Sequence, residues 1–201
     1  MAETRSYNSP LREEKARETR EAILHALYRL MSTSAVPDEI SMDAIAAEAG
    51  IQRRTVFRHF PTKDDLLTAF WPWLNALIGT SIAPDNAKDI VTGPQDAFPR
   101  FDAHEAAIRA SLHSPTGRAM RAGMIPARRL RFAGALATIL ENLPPAEARK
   151  VEALAPLLYS ASAWEVLKDY GGLDGAQAGE TASWALETIL SAVASGSSPR
   201  T

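Results

Sequence analysis

The sequence predicts an all-α protein, and three observations carry that prediction. Apolar residues recur at three- and four-residue spacing along the chain, the period of helices that each bury one face. Sustained alternation of β-branched residues between turn residues, the mark of strands, is missing. Gly and Pro fall between the periodic segments, at Gly50, Pro61, Pro72, Pro115, Pro144-Pro145 and Gly171-Gly172. A chain of 201 residues with 46% hydrophobic and 23% charged residues can bury a sizeable core.

The elements follow in order. The first ten or so residues read as a disordered arm. From about Arg12 to Met31, Ala16, Ile23, Leu27 and Leu30 fall near one face, with Glu and Arg on the other. Pro37 ends the connection that follows. Ser41 then suits the N-cap of a short helix carrying Ile45, Ala46 and Ala49, and Gly50 supplies the left-handed exit. Gln52 to Phe60 reads as a third short helix closed by Pro61. Thr62 with Asp65 resembles a capping box opening a fourth helix through Leu66, Leu67 and Phe70. Pro72 is expected to end or kink that helix near Trp71. Residues Gly79 to Pro99 read as a loop with a short helix. Helices are then expected over Asp102 to Leu112, Pro126 to Leu143, Ala146 to Tyr170 and Asp174 to Ala194. The domain layout expected is an arm at 1–11, a helix-turn-helix domain at 12–61, a helical ligand-binding and dimerisation domain at 62–195, and a disordered tail at 196–201.

Charge is unevenly placed in a chain of net charge −2. Arg53, Arg54, Arg58 and Lys63, with His59 among them, form an acid-free run between Ile51 and Lys63. A second acid-free stretch between Glu105 and Glu141 carries Arg109, Arg118, Arg121, Arg128, Arg129 and Arg131. The first island falls on the third short helix, directly after a Gly turn. That is the helix-turn-helix layout, in which the later helix enters the DNA major groove. Lys and Arg supply the affinity by neutralising phosphates. Val56 and Phe60 can pack inward against Ile45 and Ala49, while the helical wheel leaves the direction of Arg53 open.

The run Ser41-Met42-Asp43-Ala44-Ile45-Ala46-Ala47-Glu48-Ala49-Gly50-Ile51, then Arg53-Arg54-Thr55-Val56-Phe57-Arg58-His59-Phe60-Pro61-Thr62-Lys63 and Leu66-Leu67, closely resembles the DNA-binding domain of the tetracycline-repressor (TetR) family. The most specific part is Phe57-x-His59-Phe60-Pro61-x-Lys63. The resemblance implies a homodimeric transcriptional repressor with a C-terminal effector domain, released from a palindromic double-stranded operator by a small-molecule effector. Carried over by position, it implies DNA contact by Ser41, Arg53, Arg54, Thr55, Phe57, His59 and Lys63. Two positions depart from the family pattern. Phe57 stands where Tyr is common, so a phosphate hydrogen bond is lost. Gln52 stands where a small capping hydroxyl is common. His59 and Phe57 also have an ordinary reading as packing residues.

The resemblance further implies that the last two helices form the dimer seam, at Trp164, Ala178, Ala182, Ala185, Ile189 and Ala192. Small residues at alternating four and three spacing suit close, near-parallel helix packing, and by itself such a stripe more often marks intramolecular core than a dimer seam. Trp71, Trp73, Phe98, Phe101, His104, His113, Met120 and Met124 are candidates to line an effector pocket, and each also suits an ordinary core. The second basic island reads either as a site for an acidic effector or as a solvated face paired with acids.

No cofactor and no metal site are expected. His104 and His113, nine residues apart, make a poor metal pair. With no Cys, no export signal and no apolar run of membrane-spanning length, a cytoplasmic protein without a membrane partner is expected. Hydrolase elbow, phosphate loop, zinc-protease and dinucleotide motifs are absent, so the expected protein is not an enzyme. The alternative is a helical protein-binding adaptor without DNA affinity. The operator, the regulated genes and the effector are not encoded in any motif.

Overall fold

The computed structural model describes residues 10–31, 39–79, 84–197 and 199. Among these lie ten α-helices and no strand, as the periodicity predicted. They divide into two compact units, the first ending at Trp73 and the second starting at Leu74. Pro37, and all of the arm and tail except residues 10, 11, 196, 197 and 199, lie outside the described residues.

The N-terminal unit holds α1 (Pro10–Met31), α2 (Met42–Glu48), α3 (Arg53–His59) and the first part of α4 (Lys63–Ile78). Pro10 and Leu11, expected in the arm, belong to the first turn of α1, where Pro is tolerated because its missing N–H has no helical partner there. α1 buries Ile23, Leu24, Ala26, Leu27 and Met31. At seven residues each, α2 and α3 are too short to persist alone. They persist by burying Ile45, Ala46, Val56 and Phe60. The Ser41 hydroxyl accepts from the Ala44 N–H at 3.1 Å, and Gly50 at φ +66° makes the turn between them. Asp65 accepts from the Thr62 N–H at 3.0 Å while its own N–H donates to the Thr62 hydroxyl at 3.1 Å, which is the expected capping box.

Pro72 does not end α4. The stripe of Phe70, Trp71, Leu74 and Ile78 stays buried across it, which outweighs the one backbone bond a Pro removes. The domain boundary expected after Pro61 also lies further on, after Trp73. Trp73 meets His25 edge-on at 4.7 Å and donates from Nε1 to Glu21 at 2.7 Å, so the first turns of α4 are held by α1.

The C-terminal unit contains α5 (Ala87–Ala103), α6 (Glu105–His113), α7 (Pro115–Leu140), α8 (Pro145–Leu158), α9 (Ala161–Asp169) and α10 (Gly175–Ala194). Three expectations fail here. The segment read as a loop with a short helix carries the 17-residue α5 from Ala87, with Pro94 and Pro99 inside it. α7 begins eleven residues before Pro126, capped by Ser114, whose hydroxyl accepts from Gly117 N–H. The expected helix over Ala146 to Tyr170 is two helices, because Ser160 caps a new start by accepting from Ala163 N–H at 3.2 Å. Gly196 and Ser197, expected in the tail, close α10 by donating to the Val193 and Ala192 carbonyls at 3.0 and 2.9 Å.

α10 lies against α5 along a seam of very small residues. A Cβ added at Gly175 would sit 2.6 Å from the Phe98 carbonyl, and one at Gly179 would sit 2.7 Å from the Pro94 carbonyl. Moving forward along α10 thus moves backward along α5, so the two helices run antiparallel. Further along, Leu186 and Leu190 join Ile90, Phe132, Leu136, Val151 and Ala155 in the core.

Candidate nucleic-acid interface

The short helix α3 turns one residue inward and its basic residues outward. Val56 is fully buried, while Arg53, Arg54 and Arg58 are exposed. Arg53, whose direction the wheel left open, donates from Nε to Asp43 on α2 at 3.0 Å. Its guanidinium lies 5.2 Å over the Phe57 ring. Arg54 and Arg58 form no ion pair among the described residues. Thr55 and Phe57 are half-buried.

His59 ends α3, half-buried, with Nε2 enclosed and without a hydrogen-bond partner. Burial first, then the charges of Arg58 and Arg20, hold its imidazole below the usual histidine range. It is neutral at pH 7 and gains charge only in acid. Lys63, in the first turn of α4, donates to the Ile40 carbonyl, the residue before Ser41. The N-terminal ends of α2 and α4 are therefore drawn together. Exposed cations on α3, flanked by Ser41 and Lys63, form a surface matched to a polyanion.

The candidate pocket residues fall in both units. Trp71 and Trp73 belong to the N-terminal unit and pack there: Trp71 meets Phe70 at 5.2 Å. Phe98 stacks on Phe101 at 5.6 Å, and Phe101 meets Trp164 edge-on at 5.9 Å. All three rings are buried. His104 sits between α5 and α6, His113 pairs with Glu165 at 2.7 Å, Met120 is half-buried and Met124 is exposed.

The residues of the expected dimer stripe differ in exposure. Trp164, Ala178 and Ala182 are buried within their own unit, two of them on the seam with α5. Ala185 and Ile189 are half-buried at its edge, and Ala192 is exposed. The large exposed apolar residues here are Val166 on α9, Tyr170 just after it and Trp184 on α10.

Most of the second basic island is committed internally. Arg109 bonds Glu105, Glu165 and Asp169 at 2.8, 3.0 and 2.5 Å, and Arg131 bonds Asp85. Arg118, Arg121 and Arg128 donate to backbone carbonyls at His113, at Ser111 and Leu112, and at Tyr159.

Sequence reasoning missed Asp43, Arg20 and Arg29. Arg20 gives the one available signal, since it lies on the apolar stripe of Ile23 and Leu27, where a charged residue is out of place.

A helix-turn-helix with an outward basic third helix, in an all-α chain, defines a DNA-binding protein of the regulatory kind. The family of bacterial regulatory proteins named tetR matches residues 23–70, from the second half of α1 to the first half of α4, so this N-terminal part of the chain is a tetR-type DNA-binding domain. A tetR-family transcriptional regulator from Streptomyces coelicolor has a similar fold, with a TM-score of 0.62 at 21% identity over 90% of this chain and 84% of that one. No curated protein matches the sequence. Among the described residues no helix is long and apolar enough to cross a membrane.

Proposed function

We propose that the protein is a homodimeric transcriptional repressor that binds a palindromic operator and is released by a small-molecule effector. The observation that carries the DNA-binding part is the outward set Arg53, Arg54 and Arg58 on a helix whose Val56 is core. Palindromy follows from two-fold symmetry, since two α3 helices read two half-sites. Dimerisation is supported by exposed Val166 on α9, Tyr170 just after it and Trp184 on α10, large apolar side chains with no cover in the single chain. The effector part rests on the likeness of residues 23–70 to the tetR family, and such a regulator would act in the cytoplasm. The internal pairing of Arg109, Arg118, Arg121, Arg128 and Arg131 argues against an acidic effector held by the second basic island.

A salt titration tests the core of this reading, using a duplex selected from a randomised library. Log affinity falls by about 0.9 per log salt for each phosphate contacted. Affinity unchanged between low and high salt would overturn it, as would failure to select any duplex. The helical adaptor predicts that failure.

A further inference from the structure

The first helix makes two contacts that the helix-turn-helix reading does not use. Arg29 donates from Nε to the Glu48 carboxylate at 2.5 Å and from Nη2 to the Glu48 carbonyl at 3.3 Å. Glu48 is the last residue of α2. Arg20 donates to the His59 carbonyl at 3.3 Å, and its guanidinium lies 4.2 Å over the Phe60 ring. His59 is the last residue of α3. Each arginine thus places positive charge on the carbonyl end of one of the two short helices, where the helix dipole is negative and backbone acceptors lack partners.

We propose that Arg20 and Arg29 are positioning residues for DNA reading, a pair of clamps by which α1 fixes the angle between α2 and α3. This rests on the DNA-binding reading above. Two seven-residue helices joined by one Gly turn share a small core, chiefly Ile45, Ala46, Val56 and Phe60. Such a core resists separation better than it resists rotation of one helix against the other. Base readout tolerates little rotation, because hydrogen bonds to base edges weaken steeply with angle. The clamps act on the end of each helix where a small tilt has the longest lever. Arg20 also faces His59 together with Arg58, and Asp65 stands across the same cleft from α4. Loss of Arg20 removes one repulsion on the His59 imidazole, which then titrates at higher pH.

The test uses the full chain with Arg20→Ala, Arg29→Ala, the double variant and the Lys replacements. Each is titrated with the selected duplex and with a random duplex of equal length, across salt. Positioning predicts that each Ala variant loses roughly tenfold in operator affinity. Random-duplex affinity stays within about twofold, the salt slope is unchanged, and Arg20→Lys recovers most of the loss. A salt slope lower by about 1, with equal losses on both duplexes, would make Arg20 a direct phosphate contact and overturn the clamp. NMR supplies an arm that needs no DNA. In Arg20→Ala the His59 pKa rises and the last-turn amides of α3 exchange faster, while α1 amides keep their protection. An unmoved His59 pKa and unmoved α3 exchange would overturn the proposal. Should the wild type select no duplex, the regulator reading fails, and the NMR arm still decides whether Arg20 orders α3.

Discussion

Arg53 and Arg54 are neighbours with different readiness for DNA. Arg53 is held by Asp43 at 3.0 Å and rests over Phe57, so a base contact must first break or share that pair. Arg54 has no ion pair among the described residues. Arg54→Ala is therefore expected to cost the larger share, about 1–3 kcal/mol at its cognate base with relaxed preference there. Lys63→Ala should weaken all sequences about equally. Competition binding over an operator mutated base by base checks both, and identical profiles for the two variants would remove the distinction. A second residue carries a pH prediction. Burial alone would raise the Asp102 carboxyl, but Lys168 Nζ at 2.8 Å, the Gly175 N–H at 2.8 Å and Trp164 Nε1 at 3.0 Å hold it below the usual carboxylate range. Asp102 thereby caps α10 from α5. A depressed carboxylate stabilises the fold fully above its unfolded value, about pH 4, and that contribution fades as pH falls through the lower native value. Asp102→Ala is expected to cost about 1–3 kcal/mol at pH 7, with the gap from wild type narrowing below pH 4. Thermal melts at pH 7 and pH 3 measure it, and a gap that does not change with pH would contradict the charge argument. The basic run of α3 was legible in the sequence because it is local. Asp43 on Arg53 and Arg20 on His59 were not, because spacing along the chain does not show which helix ends meet.

Where the sequence misled about elements, proline was the usual cause. Pro72, Pro94, Pro99, Pro126 and Pro156 all lie inside helices. Each removes one donor, yet burial of Ile90, Phe98 and Phe101 keeps α5 helical through two of them. Helix stability in a folded protein comes mainly from such packing. Caps were legible where the signal was a Ser, Thr or Asp before an apolar run, as at Ser41 and Thr62, and were overlooked at Ser114 and Ser160. The small-residue stripe of α10 was visible, but its partner was not. It is α5 that comes close, and the space there is set by the missing Cβ atoms. Gly179→Ala would press a methyl group to 2.7 Å from the Pro94 carbonyl and 3.0 Å from the Gln95 Cα, both backbone atoms with little freedom to yield. Ala raises intrinsic helix propensity by up to about 1 kcal/mol, and the overpacking outweighs it, at about 1–3 kcal/mol. A lowered Tm is expected for Gly179→Ala. An exposed control, Gly134→Ala, meets nothing within 4 Å and should raise it slightly. Calorimetry of the two variants decides between the two effects, and a raised Tm for Gly179→Ala would mean the seam is looser than described.

Across the whole molecule, arginine repeatedly terminates helices. Arg29 does so for α2, Arg20 for α3, Arg100 at the Gly79 carbonyl after α4, Arg118 and Arg121 for α6, and Arg128 at Tyr159 after α8. Cation counts in the sequence therefore overstated the charge available for partners. In the C-terminal unit the single chain also leaves large apolar side chains exposed. Trp184 on α10 is 67% exposed and Tyr170 just after α9 is 89% exposed. On the helical wheel of α10, Trp184 shares a flank with Thr181, Ala185, Thr188 and Ala192, turned away from the buried line of Ala178, Ala182, Leu186 and Leu190. If α9 and α10 join two protomers, that flank meets its own copy, and a charge at its centre should part them. Trp184→Glu is expected to give a monomer in sedimentation with unchanged helix content and Tm, because position 184 contributes little to its own protomer's core. Operator affinity should then fall by about 10²–10⁴-fold, since two linked half-site contacts become independent. Affinity for a single half-site should stay as it was. Ala185→Arg, at the edge of the α5 seam, should dissociate the dimer less cleanly, with some loss of Tm. A Trp184→Glu protein that remains dimeric would move the seam off α10.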